Sequence, residues 1–504
     1  MKLNKQAHAI LSSDTKFILE MLFLLRDHKD WITIEEITKA TGYERRTIMK
    51  YTALLKKHTD NIPSQPIEIQ VKNTKGIRCI LKDRLGFNQF ILEITESSLS
   101  IKILRSIFFN KGLNSIKFIQ DNFISESTFK RTIEILRIQV DSFDIHIVKS
   151  GYYYYLEGDE KQIRYYAYLA FWLAYQGSSW PFPSIEKQTL TTFLNQLLGN
   201  SFQSLQPIHQ TKLHYMLAIT YTRYQLQYKI NDLLPIWQNY MNISKEYLDQ
   251  YKCNYMFENF LLPSNEVFFF VTQLQAESFI YSTYIGDYFM RAHKNSNTLS
   301  YEATHILKKK FKEEYNILTP YGDDDLFTYY ALTAHVHSHL YENFTEDLAG
   351  YEVNLYPKSQ YPELYKKIHD FIVQLQNTHS KKTFSNVQYL HYRYILLFVL
   401  QKKPSYFEEP LYINFITDQS PIIKELSISK IKAHFSSKYN LFFVDDTAKN
   451  KVNIVVSTNS IPELTTLFFD TPILYISHLL TNSDLKNLEI YLLQIYKKKN
   501  NMFL

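Results

Sequence analysis

The 504-residue chain holds only 2 cysteines, Cys79 and Cys253, with no CxxC pair and no Cys/His spacing suited to zinc. A disulfide framework is therefore not expected, and neither is a structural zinc site. Glycine is scarce, with 11 in the chain, and none falls in GxxxxGK[ST] or GxGxxG spacing. Nucleotide-driven chemistry on a phosphate-cradling loop has no support. The longest apolar runs, 165–175 and 394–400, are shorter than the roughly 20 residues that span a bilayer, and read as buried helices. Met1-Lys2-Leu3-Asn4-Lys5 leads to Ser12, Ser13, Asp14 and Lys16 instead of an apolar stretch, so a cytoplasmic protein with no membrane attachment is expected. No cofactor is expected.

Aromatic residues are plentiful by contrast, with 40 Tyr and 35 Phe, a composition that favours packed helices over loop-rich structure. The length exceeds what one core holds, so several domains are expected. The net charge of +6 is unevenly placed. Residues 1–90 carry 16 Lys and Arg against 10 Asp and Glu, and the rest of the chain is neutral. Residues 91–158 balance 8 against 8. The whole positive excess thus sits where phosphate neutralisation needs it, if the N-terminal region meets nucleic acid.

That region contains a duplicated segment. Near 33–57 a short helix, a Thr41-Gly42 turn and a basic amphipathic helix opening Arg45-Arg46-Thr47-Ile48-Met49-Lys50 follow one another. Near 115–139 the same order recurs, with Glu126-Ser127-Thr128-Phe129-Lys130-Arg131 opening the second helix. With Thr47 laid on Thr128, Ile48 falls on Phe129 and Lys50 on Arg131. Alternating segments follow each copy, 67–71 with 77–81 and 144–148 with 152–156, and read as hairpins. Helices followed by a hairpin make a winged helix-turn-helix, and two in tandem point to DNA. The faces opposite the apolar stripes offer Arg45, Arg46, Met49 and Lys50 in the first copy and Ser127, Lys130, Arg131 and Arg137 in the second. Arginine reads guanine edges bidentately and lysine holds phosphate. Lys72, Lys75 and Arg78 lie on the first hairpin and suit the DNA backbone or minor groove.

From 160 to 405 the pattern turns to long aromatic-rich helices, broken at 177–183, 262–263, 320–322 and 356–357. Two related helical bundles are expected. After Lys402-Lys403-Pro404, strands at 411–416, 441–444, 452–456 and 473–476 alternate with helices at 422–437 and 483–497, and a small parallel α/β domain is expected.

This order resembles the Mga/AtxA family of virulence and global transcription regulators of Gram-positive bacteria. The resemblance implies a mainly α multidomain fold: winged helix-turn-helix domains at 1–90 and 91–160, PTS regulation domains at 161–300 and 301–406, and at 407–504 a domain similar to the IIB component of sugar phosphotransferase systems. Leu213-His214-Tyr215-Met216-Leu217 running to Arg223 looks like the first-histidine helix of a regulation domain, and Ala334-His335-Val336-His337-Ser338-His339 looks like its counterpart. Asn354-Leu355-Tyr356 with Tyr361-Pro362-Glu363-Leu364 resembles the element that follows it. The usual second histidines fall near Gln273 and Arg393, with His391 close to the latter. The resemblance implies phosphorylation at His214 or His335, with His391 and His337 behind them, by phosphotransferase-system phosphocarrier proteins. It also implies a homodimer formed through the C-terminal domain, and a global or virulence-type activator that reads DNA partly by shape.

Other readings are weaker. An enzyme of the phosphotransferase system requires an acceptor Cys or His after the first C-terminal strand, where Thr417-Asp418-Gln419-Ser420 stands instead. An RNA-binding antiterminator is expected to begin with a β-rich domain, whereas this chain begins with helices. A metal on His335, His337 and His339 is not expected, because only His335 and His339 share a helix face.

Overall fold

Short polar caps start the first helices. Ser12 accepts from the Thr15 N–H at the head of α1 (Ser13–Asp27), which buries Phe17, Ile18, Met21, Leu22 and Leu25. Thr33 and Glu36 close a capping box on α2 (Ile34–Thr41), which satisfies two N–H groups that the first turn leaves unpaired. The computed structural model describes residues 11–28, 30–60, 66–230, 235–250, 262–315, 326–344, 356, 358, 360–445 and 451–499. The N-terminal Met1–Lys5, Cys253, the breaks at 320–322 and Pro357, and Asn354-Leu355 lie outside the described residues.

Gly42 adopts the left-handed conformation (φ 76°) that ends α2, and α3 (Arg45–Asp60) then buries Ile48, Tyr51, Thr52, Leu55 and Thr59. Strands β1 (Ile67–Lys72) and β2 (Gly76–Leu81) pair antiparallel, and Ile32 bridges Ile77 as a third edge. Gly76 makes that bridge possible, since a Cβ there would meet the Ile32 carbonyl oxygen at 2.0 Å. A helix absent from the sequence reading, α4 (Arg84–Ser97), follows, capped by Asp83. The second copy runs through α5 (Leu99–Phe109), β3 (Leu113–Asn114), α6 (Ser115–Asp121), α7 (Glu126–Asp141), β4 (Ile145–Ser150) and β5 (Tyr153–Gly158). β3 pairs with β5 and β5 with β4, so Leu113↔Tyr154 repeats Ile32↔Ile77.

Through the helices the correspondence is residue by residue. α7 buries Phe129, Thr132, Ile133, Leu136 and Val140, each 81 positions after its counterpart on α3. The two helices also begin and end 81 positions apart, and Asn114 caps α6 where Thr33 caps α2. Each large apolar side chain in these stripes contributes roughly 1.5–3 kcal/mol by burial, so the stripe fixes which face of each helix stays in water.

The chain divides into two units. The first comprises Met1–Ile306 and Asp323–Val353, the second Leu307–Gly322 and Asn354–Leu504. In the first, a helical bundle follows the hairpins: α8 (Glu160–Tyr175), α9 (Lys187–Leu198), α10 (Asn200–Gln203), α11 (Pro207–Gln225), α12 (Pro235–Gln250), α13 (Ser264–Leu274), α14 (Tyr284–Asn295), the start of α15 (Leu299–Tyr315), and α16 (Leu326–Leu340). The expected second bundle, 301–406, is thus shared between the units. α16 joins the first because its histidine face is bound there: the Trp237 Nε1–H donates to the Leu340 carbonyl (3.1 Å), and Tyr341 stacks on Tyr165 with ring centroids 4.0 Å apart.

In the second unit α17 (Pro362–Thr378) and α18 (Val387–Gln401) pack Phe371, Tyr394 and Phe398 around Phe311 and Phe407. The C-terminal α/β region has β6 (Pro410–Ile416), α19 (Pro421–Phe435), β7 (Asn440–Phe443), β8 (Ile454–Ser457), α20 (Pro462–Leu467), β9 (Ile473–Tyr475) and α21 (Asn482–Lys499). Its sheet is wholly parallel in the order β7-β6-β8-β9. Ile428 and Ile431 of α19 and Leu485, Leu488 and Leu492 of α21 cover one face, and Leu464 and Phe468 contribute to a core with Val455 on the other. Buried Glu408 joins this region to α17 by accepting the Leu364 N–H (2.9 Å) and the Tyr496 hydroxyl (2.5 Å).

Candidate nucleic-acid interface

The apolar stripes of α3 and α7 turn the opposite faces outward. On α3, Arg45, Arg46, Met49 and Lys50 are all exposed, and the Lys50 ammonium lies 4.8 Å from the Tyr51 ring centroid. The first hairpin presents Lys72 and Lys75 at its exposed tip, with the Lys72 ammonium 5.3 Å from the Trp31 ring. Arg78 is half-buried, with its Nε enclosed and without a hydrogen-bond partner. Arg45, Arg46, Met49 and Lys50 all lie in the first two turns of α3, where the positive end of the helix dipole favours an anion.

The second copy is arranged differently. Ser127, Lys130 and Arg131 are exposed on α7, whose cap Ser125 accepts from the Thr128 N–H (3.1 Å). Lys130 is paired with Glu126 at 2.6 Å, a solvent-exposed pair of small energetic value. Arg137 is committed to the fold: its Nε–H donates to the Ile147 carbonyl (2.9 Å) and its guanidinium pairs with Glu134 (2.6 Å), tying α7 to β4. The sequence pattern shows a cation on the helix; only the folded hairpin shows what it holds. The second hairpin tip carries Lys149, Ser150, Gly151 and Tyr152 where the first carries cations on both arms.

Segment 83–171, from the cap of α4 through the second hairpin into α8, matches the Mga helix-turn-helix domain. The capsule synthesis positive regulator AcpB of Bacillus anthracis is 25% identical over 221 residues, 44% of each chain. The anthrax toxin expression trans-acting positive regulator of the same organism is 25% identical over 209 residues, 41% of this chain and 42% of its own. The chain thus carries a segment like the Mga helix-turn-helix domain and is similar to these regulators over less than half of its length. The matched region spans less than half the length of either relative, and the family's helix-turn-helix domain coincides with the second copy. The first copy lies outside the matched domain and stands on its internal likeness to the second.

The candidate histidines occupy packed positions. His214 on α11 is 4% exposed, its Nε2 sharing a hydrogen bond with the Thr191 hydroxyl (2.8 Å) and its Nδ1 buried without a partner. Burial depresses its pKa to about 4. His335 is fully buried with Nδ1 on the Thr304 hydroxyl (2.8 Å), and burial holds its pKa well below the usual imidazole value. His337 points the other way, with Nε2 on the Tyr165 hydroxyl (2.7 Å). His391, in the second unit, donates its Nε2–H to the Tyr365 carbonyl (2.9 Å), which leaves Nδ1 as the basic nitrogen. Burial shifts His214, His335 and His391 toward the neutral form.

Two arrangements escaped sequence reading. His293 and His339 lie around Tyr240: the Tyr240 hydroxyl bonds the His339 Nδ1 (3.1 Å), and the His293 ring lies 5.5 Å from that of Tyr240. No group of three His, Cys, Asp or Glu among the described residues is placed to hold a metal. The other arrangement is a buried ion cluster. Glu160 at the start of α8 receives Arg223 bidentately (2.8 and 2.6 Å) and Arg164 (2.8 Å), and Arg164 also pairs with Glu266 of α13 (2.5 Å). Arg223, in the last turn of α11, therefore anchors that helix to α8. At the loop after β6, Gln419 donates to the His478 carbonyl (2.8 Å), Thr458 donates to the Thr417 hydroxyl (2.9 Å), and exposed Asp418 lies 3.9 Å from the His478 imidazole.

Proposed function

We propose that this chain is a DNA-binding transcriptional regulator that lays two winged helix-turn-helix units on duplex DNA. The observation that carries this reading is the 81-residue correspondence: every buried position of α3 recurs on α7, so two outward faces of the same construction are presented. Arg45, Arg46, Met49, Lys50, Lys72 and Lys75 supply the first face, Ser127, Lys130 and Arg131 the second. Arg78, half-buried on the first hairpin, stands behind that face, and Arg137 acts as a positioning residue for the second. The names of the relatives, a positive regulator of capsule synthesis and one of toxin expression, favour activation.

The finer parts of the proposal concern control. Phosphocarrier proteins of the phosphotransferase system transfer phosphate to His214, His335, His337 or His391, and the C-terminal α/β region pairs two copies. A phosphoryl group adds about −2 charge to an apolar helix contact, so its arrival must shift the packing that holds the imidazole. Transcript profiling of a deletion strain beside His214→Ala and His335→Ala strains tests the control step. Both substitutions are expected to change the same set of transcripts; unchanged transcripts in both strains would remove phosphorylation from the account while leaving DNA binding intact.

A further inference from the structure

The turn before each outward helix holds a residue in the left-handed conformation, and the two copies fill it differently. Gly42 stands there in the first copy (φ 76°) and Phe123, 81 positions on, in the second (φ 52°). Phe123 ends α6 at the position where helices ordinarily take glycine: the Ile124 N–H reaches back to the Ile119 carbonyl (3.2 Å) and the Phe123 N–H to Gln120 (3.2 Å). A bulky side chain in this conformation carries strain that glycine does not. Nothing in the fold repays it, because the Phe123 ring is 97% exposed. A Cβ at Gly42 likewise meets nothing within 4 Å, so the space beyond the turn is open in both copies.

We infer that Phe123 is a specificity-determining contact of the second unit, meeting thymine methyl groups in the major groove. This rests on the DNA-binding reading above. Phe123 lies two residues before the cap Ser125, at the end of α7 where helix-turn-helix recognition helices meet base edges. Exposed Ser127, Lys130 and Arg131 occupy the first two turns of α7 and bring phosphate and base-edge donors to the same end. A phenyl ring beside them has one feature of duplex DNA to bury against in the major groove, the thymine C5 methyl, which the degenerate minor groove does not present. The first unit, with glycine at this position, grips without that preference, so the two units divide affinity and sequence choice between them.

The test uses the full chain and the duplex it selects from a random library, synthesised with deoxyuridine in place of each thymidine in turn. Wild-type protein is expected to lose about fourfold in affinity at one or two positions where the methyl is removed, and Phe123→Gly to bind the two duplexes alike. Phe123→Gly is also expected to melt at a higher temperature than wild type, since it relieves the turn. The inference is overturned by a uracil penalty that persists in Phe123→Gly, by the absence of any penalty in wild type, or by a lower melting temperature of the variant, which would make Phe123 a packing residue. A shift of Phe123→Gly toward a smaller assembly in sedimentation, with the uracil penalty retained, would assign the ring to a contact between copies and overturn it too. Failure of the wild-type chain to select any duplex would overturn the DNA-binding reading itself.

Discussion

At the scale of single residues, the same side-chain type does opposite jobs a few positions apart. Arg131 is exposed and Arg137 is tied to Ile147 and Glu134, although both lie on α7. Arg137→Ala is therefore expected to cost about 1 kcal/mol of stability in denaturant unfolding, with a DNA salt dependence like that of wild type. Arg131→Ala should show the reverse. The histidines give a pH signature. Burial lowers His214 to about 4 and His293 to about 3, while in the unfolded chain each takes a proton near 6.5. The unfolded state binds more protons in that interval, so the stability these groups contribute is complete above about pH 6.5 and is lost as pH falls toward 4. Unfolding midpoints measured across that range are expected to fall with pH, and His214→Gln to fall less steeply.

At the scale of elements, much was legible because helix and strand periods differ. The stripes Ile48, Tyr51, Leu55 and Phe129, Ile133, Leu136 repeat at three and four residues, and the structure buries all six. The Ser125 cap, both hairpins and all four C-terminal strands follow their sequence signals within a few residues. What was not legible depends on partners distant in sequence. α4 was missed because its apolar residues lead straight into those of α5, with only Ser98 between the two helices. The assignment of α16 to the first unit rests on Trp237, Tyr165 and Tyr240, between 99 and 172 positions from the α16 residues they hold. The Glu160–Arg164–Arg223–Glu266 cluster is likewise invisible as text. Removing one charge from such a buried set leaves another uncompensated, so Glu266→Gln is expected to cost about 3 kcal/mol or more in denaturant unfolding. A loss below about 1 kcal/mol would show that water reaches Arg164. Ser125→Ala, by contrast, loses one cap bond and is expected to cost about 1 kcal/mol.

At the scale of the whole molecule, charge and duplication together shape the account. The positive excess of the chain lies in residues 1–90, whereas the segment matching the Mga helix-turn-helix domain begins at residue 83. A unit with surplus cations supplies affinity that is independent of sequence and weakens with salt; a balanced unit contributes orientation and choice. The most direct measurement is the affinity of the full chain for duplex DNA across a salt series, for wild type and for the combined substitution of Arg45, Arg46 and Lys50 by Ala. The logarithm of affinity is expected to fall linearly with the logarithm of salt concentration in wild type, with the slope shallower by about two to three in the variant. An affinity indifferent to salt, or a slope unchanged by the triple substitution, would contradict the assignment of the duplicated helices to DNA.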